Sequence, residues 1–332
     1  MKITPLISLL IILIVSFSCE RILPGYRYNQ GSLPETPVNL SDFNTEYDDY
    51  NSTAPSLGKL IPFCFSTNRR NQNDFDIIFM PMNVNFDKTS GILKVTNRYD
   101  NWGVFADDYE VIRTGLEKIQ TVGNEFGPNL IPGYSIDKYN FTLLYSTDVT
   151  GNSQINFISN RTNEAFSEPG EVVFLNSEFE DMYPTFNSDK SRIYFCSNRN
   201  GEDFDFYYVN VDSEKDIELL LSDNSAYPVL MDSLLSGSSD DKCPFIYEDR
   251  MVFASDRAGG FGGFDLYYSD FKNGEWSEPV NFGEKINTGF DEYRPVLIDE
   301  GVSWTQTMMV FSSNRPGGTG GFDLYFAGIE DD

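Results

Sequence analysis

The chain has 332 residues, 40% hydrophobic and 15% aromatic, with a formal net charge of -27 and no histidine. This length holds one large domain or two ordinary ones, and the aromatic content favours strands over helices. The acidity leaves no basic face for phosphate, so no nucleic-acid partner is expected, and the lack of histidine removes the commonest general base and zinc ligand.

Residues 1–18, MKITPLISLLIILIVSFS, carry Lys2, an apolar run and then small residues. The pattern predicts a secretory signal, too short and too one-sided for a membrane span. Cys19 follows Ser16-Phe17-Ser18, which resembles a bacterial lipobox. That resemblance implies lipidation of Cys19 as the mature N-terminus. The alternative is an ordinary signal followed by a chance cysteine. Residues 19–36, with Pro24, Gly25, Gly31 and Pro34, are expected to be a tether. Cys64, Cys196 and Cys243 remain as an odd number with apolar neighbours, read as buried free thiols.

From residue 37 to 332 the chain reads as one repetitive domain. A turn into a strand appears as Asp291-Glu292-Tyr293-Arg294-Pro295, Glu180-Asp181-Met182-Tyr183-Pro184, Asp240-Asp241-Lys242-Cys243-Pro244 and Asn124-Glu125-Phe126-Gly127-Pro128. A further copy, Asp48-Asp49-Tyr50-Asn51-Ser52, lacks the proline. Each is followed by a strand ending in Ser-x-Asn/Asp-Arg, a polar turn, then Phe-Asp and another strand. These are FSTNRRNQNDFDIIF, FCSNRNGEDFDFYY, FASDRAGGFGGFDLYY and FSSNRPGGTGGFDLYF, with a degenerate copy from Tyr145, YSTDVTGNSQINF. The Gly-rich runs lie between two strands, so they are hairpin turns and not phosphate loops.

Repeated four-strand units predict an all-β, five-bladed propeller. The alternative is six blades, but the long insertion near Asn83–Gly115 is too short to hold another copy comfortably. The last unit stops after its third strand, whereas Pro37-Val38-Asn39-Leu40 matches Pro279-Val280-Asn281-Phe282 without a blade of its own. The N-terminal segment is therefore expected to supply the outer strand of the last blade and remove an open edge. These motifs, over about residues 37–329, resemble the Tol-B-type, WD-like propeller repeats of Gram-negative envelope proteins. The resemblance implies a binding or scaffold platform. Some relatives carry a peptidoglycan-binding domain, and none is expected after Ile329 here.

Three sets of residues are candidates for function or repeated structure. Asp49, Glu125, Asp181, Asp241 and Glu292 precede the innermost strands and could ring the axial channel as a cation or ligand site, calcium suiting oxygen ligands. The alternative is that each caps its own turn. Arg69, Arg199, Arg257 and Arg315 are paired with Asp76, Asp205, Asp265 and Asp323. Both members change together in the second unit, to Val149 and Gln154, which predicts a contact across each hairpin. Tyr99, Trp102, Phe105 and Tyr109 lie in the non-repeated insertion and are a candidate binding loop, with Asp223–Ser239 as a second.

The expected function is an outer-membrane lipoprotein, periplasmic or cell-surface, serving an envelope complex as a non-catalytic module for a protein, peptide or glycan. Its membrane contact would be the lipid anchor alone, and no cofactor is implied beyond a calcium ion. The alternative is a glycan-active hydrolase using axial carboxylates, with Asp181, Asp241 and Glu292 as candidates.

Overall fold

The computed structural model describes residues 31–55, 61–98, 106–135, 138–161, 165–201, 203–298 and 304–330. The leader, Cys19, Tyr99, Trp102 and Phe105 lie outside the described residues. The first strand, β1 (Val38–Asn39), belongs to the last blade. Blade 1 is β2 (Asp49–Thr53), β3 (Ile61–Thr67), β4 (Asp76–Asp87) and β5 (Ile92–Thr96). Helix α1 (Ala106–Ile119) leads to blade 2, which is β6 (Glu125–Ser135), β7 (Lys138–Thr147), β8 (Gln154–Ser159) and β9 (Gly170–Glu171). Blade 3 is β10 (Asp181–Phe186), β11 (Arg192–Ser197) and β12 (Asp205–Asn210). It is completed after the short helix α2 (Ile217–Leu221) by β13 (Val229–Met231). Blade 4 is β14 (Asp241–Tyr247), β15 (Arg250–Ser255), β16 (Asp265–Lys272), β17 (Glu275–Trp276) and β18 (Val280–Asn281). Blade 5 is β19 (Glu292–Ile298), β20 (Thr307–Ser313) and β21 (Asp323–Ile329), with β1 outermost. The propeller has five blades.

Closure occurs where the sequence places it. Val38 pairs with Phe326 and Asn39 with Tyr325. The Asn44 amide donates to Leu324 O and its Oδ1 accepts from Leu324 N. Asn287 makes the same two bonds to Leu266 in blade 4. The matching Pro-Val-Asn segments thus do one job: each lays an outer strand and pins it with a downstream asparagine. The expected tether is shorter than 19–36, because Leu33 is buried in the seam between blades 5 and 1 and Gly328 N donates to Pro34 O.

Burial follows the seams. β20 and β21 are buried along their whole lengths because a neighbouring blade covers each face. The buried apolar residues form separate clusters between successive blades. Helix α1 fills the seam between blades 1 and 2 with Tyr109, Ile112, Leu116 and Ile119, spaced three, four and three residues apart on one face. Tyr109 is therefore a core residue with no exposed surface, which removes it from the expected binding loop. The second expected loop, Asp223–Ser239, contains β13 and the buried Leu235, so much of it is repeat.

Candidate binding face at the propeller axis

The acidic pairs are the joints between blades. The second acid of each pair donates its backbone N–H to the carbonyl before the preceding blade's third strand. These bonds are Asp49 to Phe322 (2.8 Å), Glu125 to Phe75 (2.7 Å), Asp181 to Ser153 (2.9 Å), Asp241 to Phe204 (2.7 Å) and Glu292 to Phe264 (2.7 Å). The first member accepts the N–H of the same residue: Phe322 donates to Asp48, Phe75 to Asn124, Ser153 to Glu180, Phe204 to Asp240 and Phe264 to Asp291. Its own N–H goes to the Asn or Asp of the Ser-x-Asn-Arg motif, as from Asp48 to Asn68 and from Asp291 to Asn314. A side chain and a backbone group thus clamp each seam from both sides.

The five second acids are fully buried. Asp49 accepts from Thr45 N and Oγ1, Asp181 from Ser177 N and Oγ, Asp241 from Gly237 N, and Glu292 from Thr288 N and Oγ1. Each capped turn lies just before its strand. Arginines complete four of these sites: Arg69 reaches Asp49 at 2.5 Å, Arg199 Asp181 at 2.5 Å, Arg257 Asp241 at 2.5 Å and Arg315 Glu292 at 2.9 Å. Each guanidinium also bonds a carbonyl of the preceding turn, those of Phe43, Leu175, Leu235 and Ile286.

The arginines therefore do not meet Asp76, Asp205, Asp265 and Asp323, as the paired changes suggest. Those aspartates serve their own hairpins. Asp265 accepts from Phe261 N and Gly262 N, Asp323 from Thr319 N and Gly320 N, and Asp205 from the Asn200 amide. Asp76 lies 3.7 Å from Arg70, the residue beside the motif arginine. Burial raises the carboxyl of Asp205 to about 6.

Blade 2 departs from this plan. Val149 stands at the arginine position, and Glu125 keeps Thr121 Oγ1 at 2.7 Å and Thr147 Oγ1 at 3.3 Å on one oxygen. Its other oxygen has no hydrogen-bond partner among the described residues. Burial, with a smaller repulsion from Asp76, pushes the Glu125 carboxyl up to about 7.

The axis is filled. Every inner strand carries a bulge, and the residue before its bulge proline (or Ser52) is left-handed: Asn51 (φ 55), Gly127 (φ 58), Tyr183 (φ 56), Cys243 (φ 60) and Arg294 (φ 48). Proline fits there because the bulge leaves a backbone donor without a ladder partner. Arg294 is fully buried, donates to Pro244 O at 3.1 Å and Pro128 O at 2.9 Å, and stacks on Tyr183. Tyr183 in turn accepts from the Asn51 amide. A Cβ on Gly127 would stand 2.4 Å from the Tyr183 ring, so glycine makes the room that Tyr183 occupies. The expected ring of carboxylates round an open channel is corrected accordingly: each acid is satisfied largely inside its own turn. Among the described residues no three acidic or thiol groups gather closely enough to hold a metal ion. Cys64, Cys196 and Cys243 are buried and unpaired, and burial raises all three thiols.

Around the starts of the inner and third strands stands a set of half-buried side chains outside the acidic and arginine motifs. They are the residues following the second acids (Tyr50, Phe126, Met182, Lys242, Tyr293) and those preceding the third strands (Phe75, Phe204, Phe264, Phe322), with Ser153 buried in the blade 2 place. Tyr50 lies 5.0 Å from Phe75, 5.8 Å from Phe126 and 5.6 Å from Phe322 between ring centroids. Phe264 lies 5.2 Å from Tyr293. Lys242 Nζ stands 4.2 Å from the Phe204 centroid and 5.3 Å from that of Phe264, and pairs with Asp240 at 2.7 Å. The signal was present as the Phe of every Phe-Asp motif, but it read as strand-forming sequence.

No family model matches the chain, and no characterised protein matches it by sequence. Solved structures match its fold. A glycoside hydrolase is similar at a TM-score of 0.51 and 7% identity, over 95% of this chain and 97% of that one. A GH43 protein from Bacillus licheniformis is similar at 0.50 and 11%, over 89% of this chain and 55% of that one. A putative TolB from Agrobacterium tumefaciens is similar at 0.35 and 13%, over 82% and 72%. All lie far below the identity at which function follows, so what this chain shares with the first two is the β-propeller fold, here of five blades.

Proposed function

We propose that this chain is an outer-membrane lipoprotein, held through Cys19, whose propeller is a non-catalytic binding or scaffold module in an envelope complex. One observation carries the non-catalytic part: the axial acids are fully buried and four of the five are paired with arginine, so they hold blades together. The strand starts around them offer aromatic faces and one lysine, which suit recognition of a protein, peptide or glycan. The signal sequence and the residues before Cys19 support the anchor; the described residues contain no helix long and apolar enough to cross a membrane. Cross-linking mass spectrometry on intact envelopes is expected to recover a specific partner. Recovery of the free chain alone counts against the reading. Cys19→Ala is expected to move the protein from the membrane to the soluble fraction.

The second reading is a glycan-active hydrolase. It is supported by the fold shared with glycoside hydrolases and by Glu125, a carboxyl that keeps its proton to about pH 7, as a general acid does. Release of sugar from a polysaccharide panel by the wild type, abolished in Glu125→Gln, would establish this reading in place of the first.

A further inference from the structure

The binding reading leaves the ligand open. Resting on it, we propose that this aromatic face is a receptor for a cationic side chain, a lysine or arginine carried on an exposed segment of a partner protein. The chain supplies its own precedent. Lys242 lays its ammonium over Phe204 and Phe264 and finishes on Asp240. At the starts of strands in blades 1, 2 and 5, Tyr50, Phe75, Phe126 and Phe322 form a second half-buried aromatic cluster, and no described cation stands over these rings. Acids adjoin this cluster in the chain: Asp74, immediately before Phe75, is 7% exposed, and its Oδ1 has no hydrogen-bond partner among the described residues. Asp48, which caps Phe322 N, is half-exposed.

The charges agree. Arg69, Arg199, Arg257 and Arg315 are consumed by the buried acids and Lys242 by Asp240, so this face keeps a surplus of carboxylates. A cation gains from both the ring quadrupoles and this field, and a long aliphatic stem can lie along the rings. A neutral sugar could stack on the rings but would bring no positive charge to this acidic surface. The observations therefore favour the cation.

The test is calorimetric titration of the full chain in detergent with capped tetralysine and tetra-arginine peptides, and with a neutral cello-oligosaccharide. Saturable peptide binding that weakens with salt is expected. Phe75→Leu, Phe322→Leu and Asp74→Asn should each weaken it about tenfold. Glu278→Gln and Glu284→Gln, exposed acids of blade 4 outside this cluster, should leave it unchanged. Lys242→Met, which uncovers Phe204 and Phe264, should strengthen it. The seam bonds use the carbonyls of Phe75 and Phe322, so those variants should keep the wild-type melting temperature. If either unfolds, Asp74→Asn and Lys242→Met decide. Equal loss in the blade 4 variants, binding of the oligosaccharide in place of the peptides, or no saturable binding overturns the proposal. Failure here with a specific envelope partner still recovered by cross-linking would remove the cationic ligand and leave the binding role standing.

Discussion

Glu125 and its four counterparts show how much one side chain changes a buried acid. Where an arginine is present, the carboxylate gains a charge-assisted bond and the preceding turn is tied down. At Glu125 the arginine is Val149 and one oxygen is unpartnered among the described residues. Its carboxyl titrates near 7 when folded, against 4.5 for an ordinary glutamate. Folding therefore takes up a proton between those values, so Glu125 favours the fold below about pH 4.5 and loses that contribution as pH rises through 7. Glu125→Gln should flatten that slope. Relative to wild type it should gain at most about 3 kcal/mol at pH 8 compared with pH 4, read from urea unfolding across pH. Val149→Arg should stabilise the protein at neutral pH and draw the Glu125 titration down. The reverse change, Arg257→Met, leaves Asp241 buried without its cation and should cost about 3 kcal/mol or more.

At the scale of elements, the inner strands and α1 decide what the axis and the first seam contain. The bulge turns one residue of each inner strand into the left-handed region, where it can point along the axis. Gly127 is the position with no side chain, and Tyr183 takes its space. Gly127→Ala adds backbone strain and a contact that the ring must escape. A loss of about 2–4 kcal/mol in chemical unfolding is expected. Helix α1 is amphipathic and its apolar stripe is consumed by the seam. Tyr109→Ala should therefore behave as a core deletion costing about 3–5 kcal/mol, with ligand binding by the folded fraction unchanged.

For the whole molecule the question is how the ring stays shut. Four seams are made by consecutive chain, and the fifth blade needs β1 from the other end. Asn44 and Asn287 make equivalent bonds, yet only Asn44 closes the ring. Asn44→Ala and Asn287→Ala should lose similar hydrogen bonding, about 1–3 kcal/mol each. Hydrogen exchange should separate them: Asn44→Ala is expected to release protection along β21 and β1, whereas Asn287→Ala should loosen β18 and leave the closure protected.

The sequence by itself determined the blade number, the strand order within each blade and the closing strand. These follow from repetition and from an outer strand missing at one end and spare at the other. It did not determine which acid each arginine meets. Asp49 and Asp76 are both near Arg69 in the chain, and only folding shows that Asp76 stays beside Arg70 in its own hairpin while Arg69 turns back onto Asp49. The joint change to Val149 and Gln154 was real information, but it marked a degenerate blade and no contact between the two positions. Likewise the acidic repeat suggested an open rim, whereas the bulges sent Tyr183, Cys243 and Arg294 into the axis. Local pattern specifies hydrogen-bonded strands because their period is local; what fills the centre is set by residues from five separate strands meeting at one place.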